Sequence, residues 1–166
     1  MISKKEKNGF QTKVWGSPAW LFLHCVAFNY SPDKYKEYRR FFISLADVLP
    51  CKTCRDNYKK IITSGKYRIR NSIFKSRNTF SKWLFLVHNK IQRDINIKND
   101  KDIPMYTDND FGKVKKIYES FRAKCTKNQY GCTEPYEKGG KKRTMIKIHT
   151  FRLNICKQKH GITLQS

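Results

Sequence analysis

Asn78-Thr79-Phe80-Ser81-Lys82-Trp83-Leu84-Phe85-Leu86-Val87-His88-Asn89-Lys90-Ile91-Gln92-Arg93-Asp94-Ile95 is the most strongly periodic stretch of this sequence. Phe80, Trp83, Leu84, Val87, His88, Ile91 and Ile95 recur three and four positions apart, the spacing of one face of an α-helix. A capping residue at Asn78 or Thr79 is expected to start this fourth helix. Upstream, Ser17-Pro18 reads as an N-cap with proline in the first turn, opening a first helix along Trp20, Leu21, Leu23, His24, Ala27 and Phe28. Ser31-Pro32-Asp33 repeats the signal, and Tyr35, Tyr38, Phe42, Leu45 and Leu49 form one stripe until Pro50 interrupts it. A short third helix starts around Cys51 and runs through Tyr58, Ile61 and Ile62 to Gly65, a residue suited to a left-handed C-terminal position. A basic loop from Lys66 to Arg77 leads to the fourth helix. Thr107 with Asp110 offers a capping-box start to a fifth, through Val114, Ile117, Tyr118 and Phe121. The expected fold is all-α.

The chain has 166 residues, the size of one domain, with 36 Lys+Arg against 13 Asp+Glu and a formal charge of +23. Its longest apolar runs are five residues, Ala19 to Leu23 and Trp83 to Val87. A spanning helix needs roughly 18, so a transmembrane protein is excluded. Met1 to Lys13 lacks an apolar core and a small-residue cleavage site, so it does not read as a secretory signal and the mature chain is expected to begin there. The positive charge favours non-specific contact with polyanions, nucleic acid among them. From Lys138 onward there are eight Lys or Arg and no acid, which marks the C-terminal stretch as an appendage.

Six cysteines need a chemical reason, since a chain of this length can bury a sufficient core. Pro50-Cys51-Lys52-Thr53-Cys54 places two thiols three positions apart at a helix start, where unpaired N–H groups and the cations Lys52 and Arg55 stabilise a thiolate. The spacing supports a redox pair. It also matches half of a zinc site, but no second pair of this spacing exists. A thioredoxin-like motif would follow a strand, whereas an amphipathic helix precedes this one. Cys25, inside the apolar stretch of the first helix, reads as a small hydrophobe. Trp20 with His24, and Trp83 with His88, set flat rings beside hydrogen-bonding groups on two helices. Such residues are often core packing, and between helices they can also line a slot for a planar cofactor.

Taken together, Trp15-Gly16-Ser17-Pro18-Ala19-Trp20-Leu21-Phe22-Leu23-His24, the Cys51 to Cys54 motif and Trp83 to Gln92 resemble the Erv/ALR family of FAD-dependent sulfhydryl oxidases, most closely its members from large DNA viruses. The resemblance covers about residues 15 to 120. It implies a four-helix bundle with a short fifth helix, FAD held without a glycine-rich phosphate loop, and a homodimer. The implied domain is residues 14–124, between a basic segment 1–13 and a basic extension 125–166. The implied catalytic pair is Cys51, facing the incoming thiol, and Cys54, next to the flavin. The implied FAD contacts are Trp15, Gly16, Ser17, Trp20 and His24 on the first helix; Trp83, Phe85, His88, Asn89, Ile91, Gln92, Ile95 and Lys98 on the fourth; and Tyr118 on the fifth. Ile91 and Gln92 stand where the family carries Val and Asn. Reduced protein thiols or a thioredoxin-like donor would deliver electrons, and O2 would accept them as hydrogen peroxide. Host cytoplasm or virion is the setting for a viral member, the mitochondrial intermembrane space for a cellular one. The cellular members' C-terminal disulfide, with sixteen intervening residues, has no counterpart; Cys125 and Cys132 are instead expected to form a structural staple or an electron shuttle. A basic zinc-stabilised or nucleic-acid-binding interaction domain is the alternative class.

Overall fold

The computed structural model of the chain describes residues 9–124, 131–132 and 134–135, and within them the protein is all-α. Five α-helices are present among these residues: α1 Thr12–Phe28, α2 Tyr35–Val48, α3 Lys52–Thr63, α4 Arg77–Lys98 and α5 Phe111–Ser120. Helix α1 packs along α4, α2 packs along α3, and the short α5 closes against α1. Two residues each of β1 (Ala123–Lys124) and β2 (Glu134–Pro135) pair antiparallel after the bundle. No helix among the described residues is long and apolar enough to cross a membrane.

The main core is aromatic. Phe80 is fully buried, with Phe42 and Tyr30 both 4.9 Å away between ring centroids, Phe74 at 4.9 Å and Trp83 at 5.7 Å. Amphipathic rings in such a core need partners for their polar tips. Each finds a backbone carbonyl: Tyr30 donates to Phe74 O at 2.7 Å, Tyr58 to Phe42 O at 2.9 Å and the Trp83 indole to Tyr67 O at 2.8 Å. The first and third bonds tie the connection between α3 and α4 to the bundle, and the second joins α3 to α2. Phe28, Phe85, Phe111, Val114 and Tyr118 form a second cluster that seats α5.

Two helix starts differ from the sequence expectation. Helix α1 begins at Thr12, so Ser17 and Pro18 lie inside it rather than at its cap. Proline here forfeits one hydrogen bond, to the carbonyl four residues back. Tertiary contacts hold the preceding turn: the Trp15 indole donates to Phe10 O at 3.2 Å and the Phe10 N–H to Pro50 O at 2.8 Å. Helix α4 is capped by Ser76 instead of Asn78 or Thr79. Ser76 Oγ accepts from the Thr79 N–H and Thr79 Oγ1 from the Ser76 N–H, a reciprocal capping box. At Ser31-Pro32 the chain makes a short 3₁₀ turn, Pro32–Lys34, before α2 begins at Tyr35, and the remaining signals hold. Cys51 caps α3, Gly65 has φ +66°, and Thr107 and Asp110 form the capping box before α5. The basic loop contains a further 3₁₀ turn, Asn71–Lys75, anchored by buried Phe74.

Candidate functional site: a redox disulfide and a histidine–aromatic cluster

Pro50 ends the α2 segment, and Cys51 takes an extended conformation (φ −149°) that turns the chain into α3. Cys51 and Cys54 form a disulfide with 5.1 Å between their Cα atoms. The Cys54 N–H donates to Cys51 Sγ at 3.3 Å, the N-cap bond of the helix. That bond and the helix dipole favour negative charge on the Cys51 sulfur once the disulfide opens. The corner is held on several sides. Leu49 O accepts from the Arg55 guanidinium at 2.6 Å and from the Cys51 N–H at 2.8 Å, while Pro50 O accepts from Phe10. Gly9 lies so close that a Cβ there would fall 2.6 Å from Pro50 O. Both cysteines are half-buried, so an external thiol can reach the pair.

The second constellation lies between α1, α4 and α5. Trp20 stacks on His88, with centroids 3.9 Å apart and planes within 7°. His24 Nε2 and His88 Nδ1 share a hydrogen bond of 3.0 Å, and Tyr118 lies 5.1 Å from the His24 ring. Both histidines are buried. Burial lowers the His24 pKa to about 3; burial, then the neighbouring His24, holds His88 well below the ordinary imidazole value. The pair is neutral at physiological pH, one ring donating and the other accepting. His24 Nδ1 is buried without a hydrogen-bond partner among the described residues.

Next to His88, Asn89 donates to Asp108 Oδ1 at 3.2 Å and Arg93 donates to the same oxygen at 2.9 Å. Burial raises the Asp108 carboxyl, but the Arg93 and Asn89 hydrogen bonds outweigh it and keep the group below its usual range. Arg93 also donates to the Tyr67 hydroxyl at 3.1 Å. The sequence carries no signal that singles out Asp108 or Arg93. The Asp108 contacts join residues 15 and 19 positions apart on different elements, which no local pattern encodes.

The structure therefore gathers Trp20, His24, His88 and Tyr118, with Asn89 adjoining. Trp15 lies near the disulfide corner through Phe10. Gly16 and Ser17 sit half-buried in α1. Trp83 is in the main core, stacked on Phe80, and Phe85 is in the second cluster. Ile91 packs against the main core, and Gln92 donates to Asn96 Oδ1 at 2.9 Å. Ile95 and Lys98 are exposed toward the end of α4. Cys25 departs from expectation: it is an exposed free thiol, because its position on α1 turns away from α4, and partial burial raises its pKa. Cys132 is disulfide-bonded, while Cys125 and Cys156 lie outside the described residues.

The buried neutral histidines set a pH dependence. Unfolding exposes both rings to water, where their pKa returns to about 6.5 and they take up protons. The folded pKa values lie lower, so stability is complete above pH 6.5 and falls as pH drops toward the folded value. Urea titrations between pH 7 and 5 should show a midpoint that declines with acid. His24→Asn should flatten that decline, and an equally steep decline in the variant would refute the assignment.

Several known proteins are similar to this chain. A probable FAD-linked sulfhydryl oxidase of Acanthamoeba polyphaga mimivirus is 36% identical over 81 residues, covering 46% of this chain and 55% of the relative. The FAD-linked sulfhydryl oxidase ERV1 of Arabidopsis thaliana is 32% identical over 98 residues, 55% of this chain and 48% of the relative. An FAD-linked sulfhydryl oxidase of African swine fever virus is 27% identical over 88 residues, 51% of this chain and 70% of the relative. The chain spans about half the length of the first two. The model of the Erv1 / Alr family matches residues 17–119, which include the Cys51–Cys54 disulfide and the stacked Trp20 and His88, and the chain belongs to that family.

Proposed function

We propose that this chain is an FAD-dependent thiol oxidase that forms disulfides in protein substrates. The observation that carries the reading is the Cys51–Cys54 disulfide at the N-terminus of α3, in a bundle whose α1 and α4 bring Trp20, His24 and His88 together. The residues fit a planar, hydrogen-bonding cofactor: Trp20 offers a half-buried flat ring, and His24 Nδ1, without a partner among the described residues, is a polar atom for a ligand to meet. Trp20, His24, His88, Asn89 and Tyr118 would hold it. When bound, FAD supplies the two-electron oxidising power and hands the electrons to O2, giving hydrogen peroxide.

The chain's own chemistry is thiol–disulfide exchange. A substrate thiolate attacks Cys51 Sγ, the Cys51–Cys54 bond breaks, and Cys54 leaves as a thiolate. A second substrate thiolate then attacks the substrate sulfur of the mixed disulfide and releases Cys51, which the Cys54 N–H stabilises. The substrate has lost two electrons and the cysteine pair holds them. Arg55 and the Phe10 N–H fix the corner through these steps.

Reduced protein thiols or a thioredoxin-like protein are the electron donors in this reading, and the mimivirus and African swine fever virus relatives favour host cytoplasm or virion over the mitochondrial intermembrane space. The protein is a homodimer whose contact is the exposed apolar face of Val14 and Phe22 on α1 with Phe41 and Val48 on α2. Phe22→Glu should shift sedimentation from dimer to monomer, and an unchanged sedimentation coefficient would place the contact elsewhere. In this reading Cys132, which is disulfide-bonded, has Cys125 as its partner in a structural staple rather than an electron shuttle. For the activity itself, the purified chain should be yellow and consume O2 when given dithiothreitol. A colourless protein that takes up no added FAD refutes the reading, and bound zinc released by thiol modification would establish the alternative.

A further inference from the structure

We propose that the connection between α3 and α4 is a nucleic-acid backbone-binding surface, separate from the redox site. Residues 66–77 contain five Lys or Arg and no Asp or Glu. Along the first part, exposed Lys66, Arg68 and Arg70 alternate with Tyr67 and Ile69, which pack on the main core. Lys66 and Tyr67 form the turn after Gly65, where the Arg68 N–H donates to Gly65 O at 3.4 Å, and beyond it exposed Arg68 and Arg70 flank Ile69. Lys75 adds a further exposed cation at the end of the 3₁₀ turn. Arg68, Arg70 and Lys75 have no acidic partner among the described residues.

The surface is rigid, which spares ordering entropy on binding. Phe74 is buried beneath it, Tyr30 donates to Phe74 O, and the Tyr35 hydroxyl donates to Asn71 Oδ1 at 3.1 Å. Asp108 lies within electrostatic reach of Lys66 and Glu119 of Arg77, which leaves Arg68, Arg70 and Lys75 to carry the surface; Asp33 is engaged by the Ser31 hydroxyl, and Glu37 lies on the first turn of α2. None of the exposed large apolar side chains belongs to this segment, which argues against insertion into a lipid surface. Unpaired cations with neither acids nor apolar anchors among them suit a uniformly charged phosphate backbone better than an acidic protein, whose surface carries cations as well. The twelve residues of α3 separate this surface from the disulfide, a length of about 18 Å. Thiol oxidation and nucleic-acid binding can therefore proceed on one molecule at once.

The test uses the full chain and a short duplex DNA of mixed sequence, followed by fluorescence anisotropy over a salt series. The variant Arg68→Gln/Arg70→Gln/Lys75→Gln is compared with Lys82→Gln/Lys101→Gln/Lys116→Gln, which removes the same charge from exposed positions elsewhere. The first should weaken binding by about tenfold or more and lower the salt slope by about two to three units. The second should change affinity less than about threefold, and both should oxidise dithiothreitol at the rate of the unsubstituted chain. Equal losses in the two variants would show that only bulk charge acts and would overturn the proposal. So would patch-dependent binding to phosphatidylcholine–phosphatidylserine vesicles without binding to DNA. Because oxidation is measured in the same samples, failure here leaves the oxidase reading standing, and the converse also holds.

Discussion

Cys54→Ser is expected to lower thiol oxidation by about a thousandfold or more and to leave substrate covalently attached to Cys51. Without the second sulfur, the variant cannot complete an internal disulfide, so electrons have no route from the substrate through the pair. Cys51 stays at the helix cap, where the backbone N–H of residue 54 still points at its sulfur. That thiolate forms a mixed disulfide with an oxidised substrate or an activated small disulfide, and no neighbouring thiol resolves it. Cys51→Ser should lose the same activity, since the position that meets the substrate is gone, but should trap far less, because Cys54 lies inside the first turn of α3. Mass spectrometry after incubation with a mixed-disulfide probe reads the difference. Equal trapping by the two variants would reverse or abolish the division of roles. A variant that retained turnover would remove the pair from the chemistry altogether.

Trp20→Ala carries the second large effect, on both stability and cofactor retention. The indole covers the His88 ring at 3.9 Å and lies 6.1 Å from His24. Removing it opens a void beside two buried imidazoles and admits water to groups whose neutrality depends on its exclusion. Complete truncation of a buried tryptophan costs about 3 to 5 kcal/mol; Trp20 is half-buried, so the lower end applies. Urea unfolding measures that part. A purely structural tryptophan would have no further effect, and the folded fraction would still take up FAD like the parent. The proposed site requires more: flavin affinity of the folded variant should fall by at least about tenfold, with partial recovery in Trp20→Phe, which restores a flat ring. Unchanged flavin affinity in folded Trp20→Ala would assign Trp20 to the core alone.

Local rules accounted for much of this architecture. The period of Phe80, Trp83, Leu84 and Val87 corresponds to the buried face of α4, and Gly65, Cys51 and the Thr107–Asp110 pair sit where their backbone chemistry requires. The start of α1 was hidden because Ser17-Pro18 is a valid start signal that long-range contacts override. Phe10 and Pro50 are forty positions apart in sequence, yet their hydrogen bond fastens the turn ahead of the proline. Ser76 competes with Asn78 and Thr79, two and three positions on, which are also good caps; only the reciprocal bonding with Thr79 separates them. In the site, side chains that share a helix face were legible as a set, as for Trp20 with His24. Which of them meet across helices was not. Trp83 and His88 lie on one helix, but Trp83 packs on Phe80 while His88 meets Trp20. The link between Asn89, Arg93 and Asp108 depends on how the segment before α5 folds back over α4, a matter of packing rather than pattern.

Gly9 against the Pro50–Cys51 backbone has a practical consequence for anyone who handles this protein. A Cβ at position 9 would fall 2.6 Å from Pro50 O and 3.3 Å from Cys51 Cα, so Gly9→Ala pushes on the backbone that carries the substrate-facing sulfur. A cloning change that replaces Gly9 would therefore alter measured rates without touching either cysteine, and rates from different preparations are comparable only when position 9 is glycine.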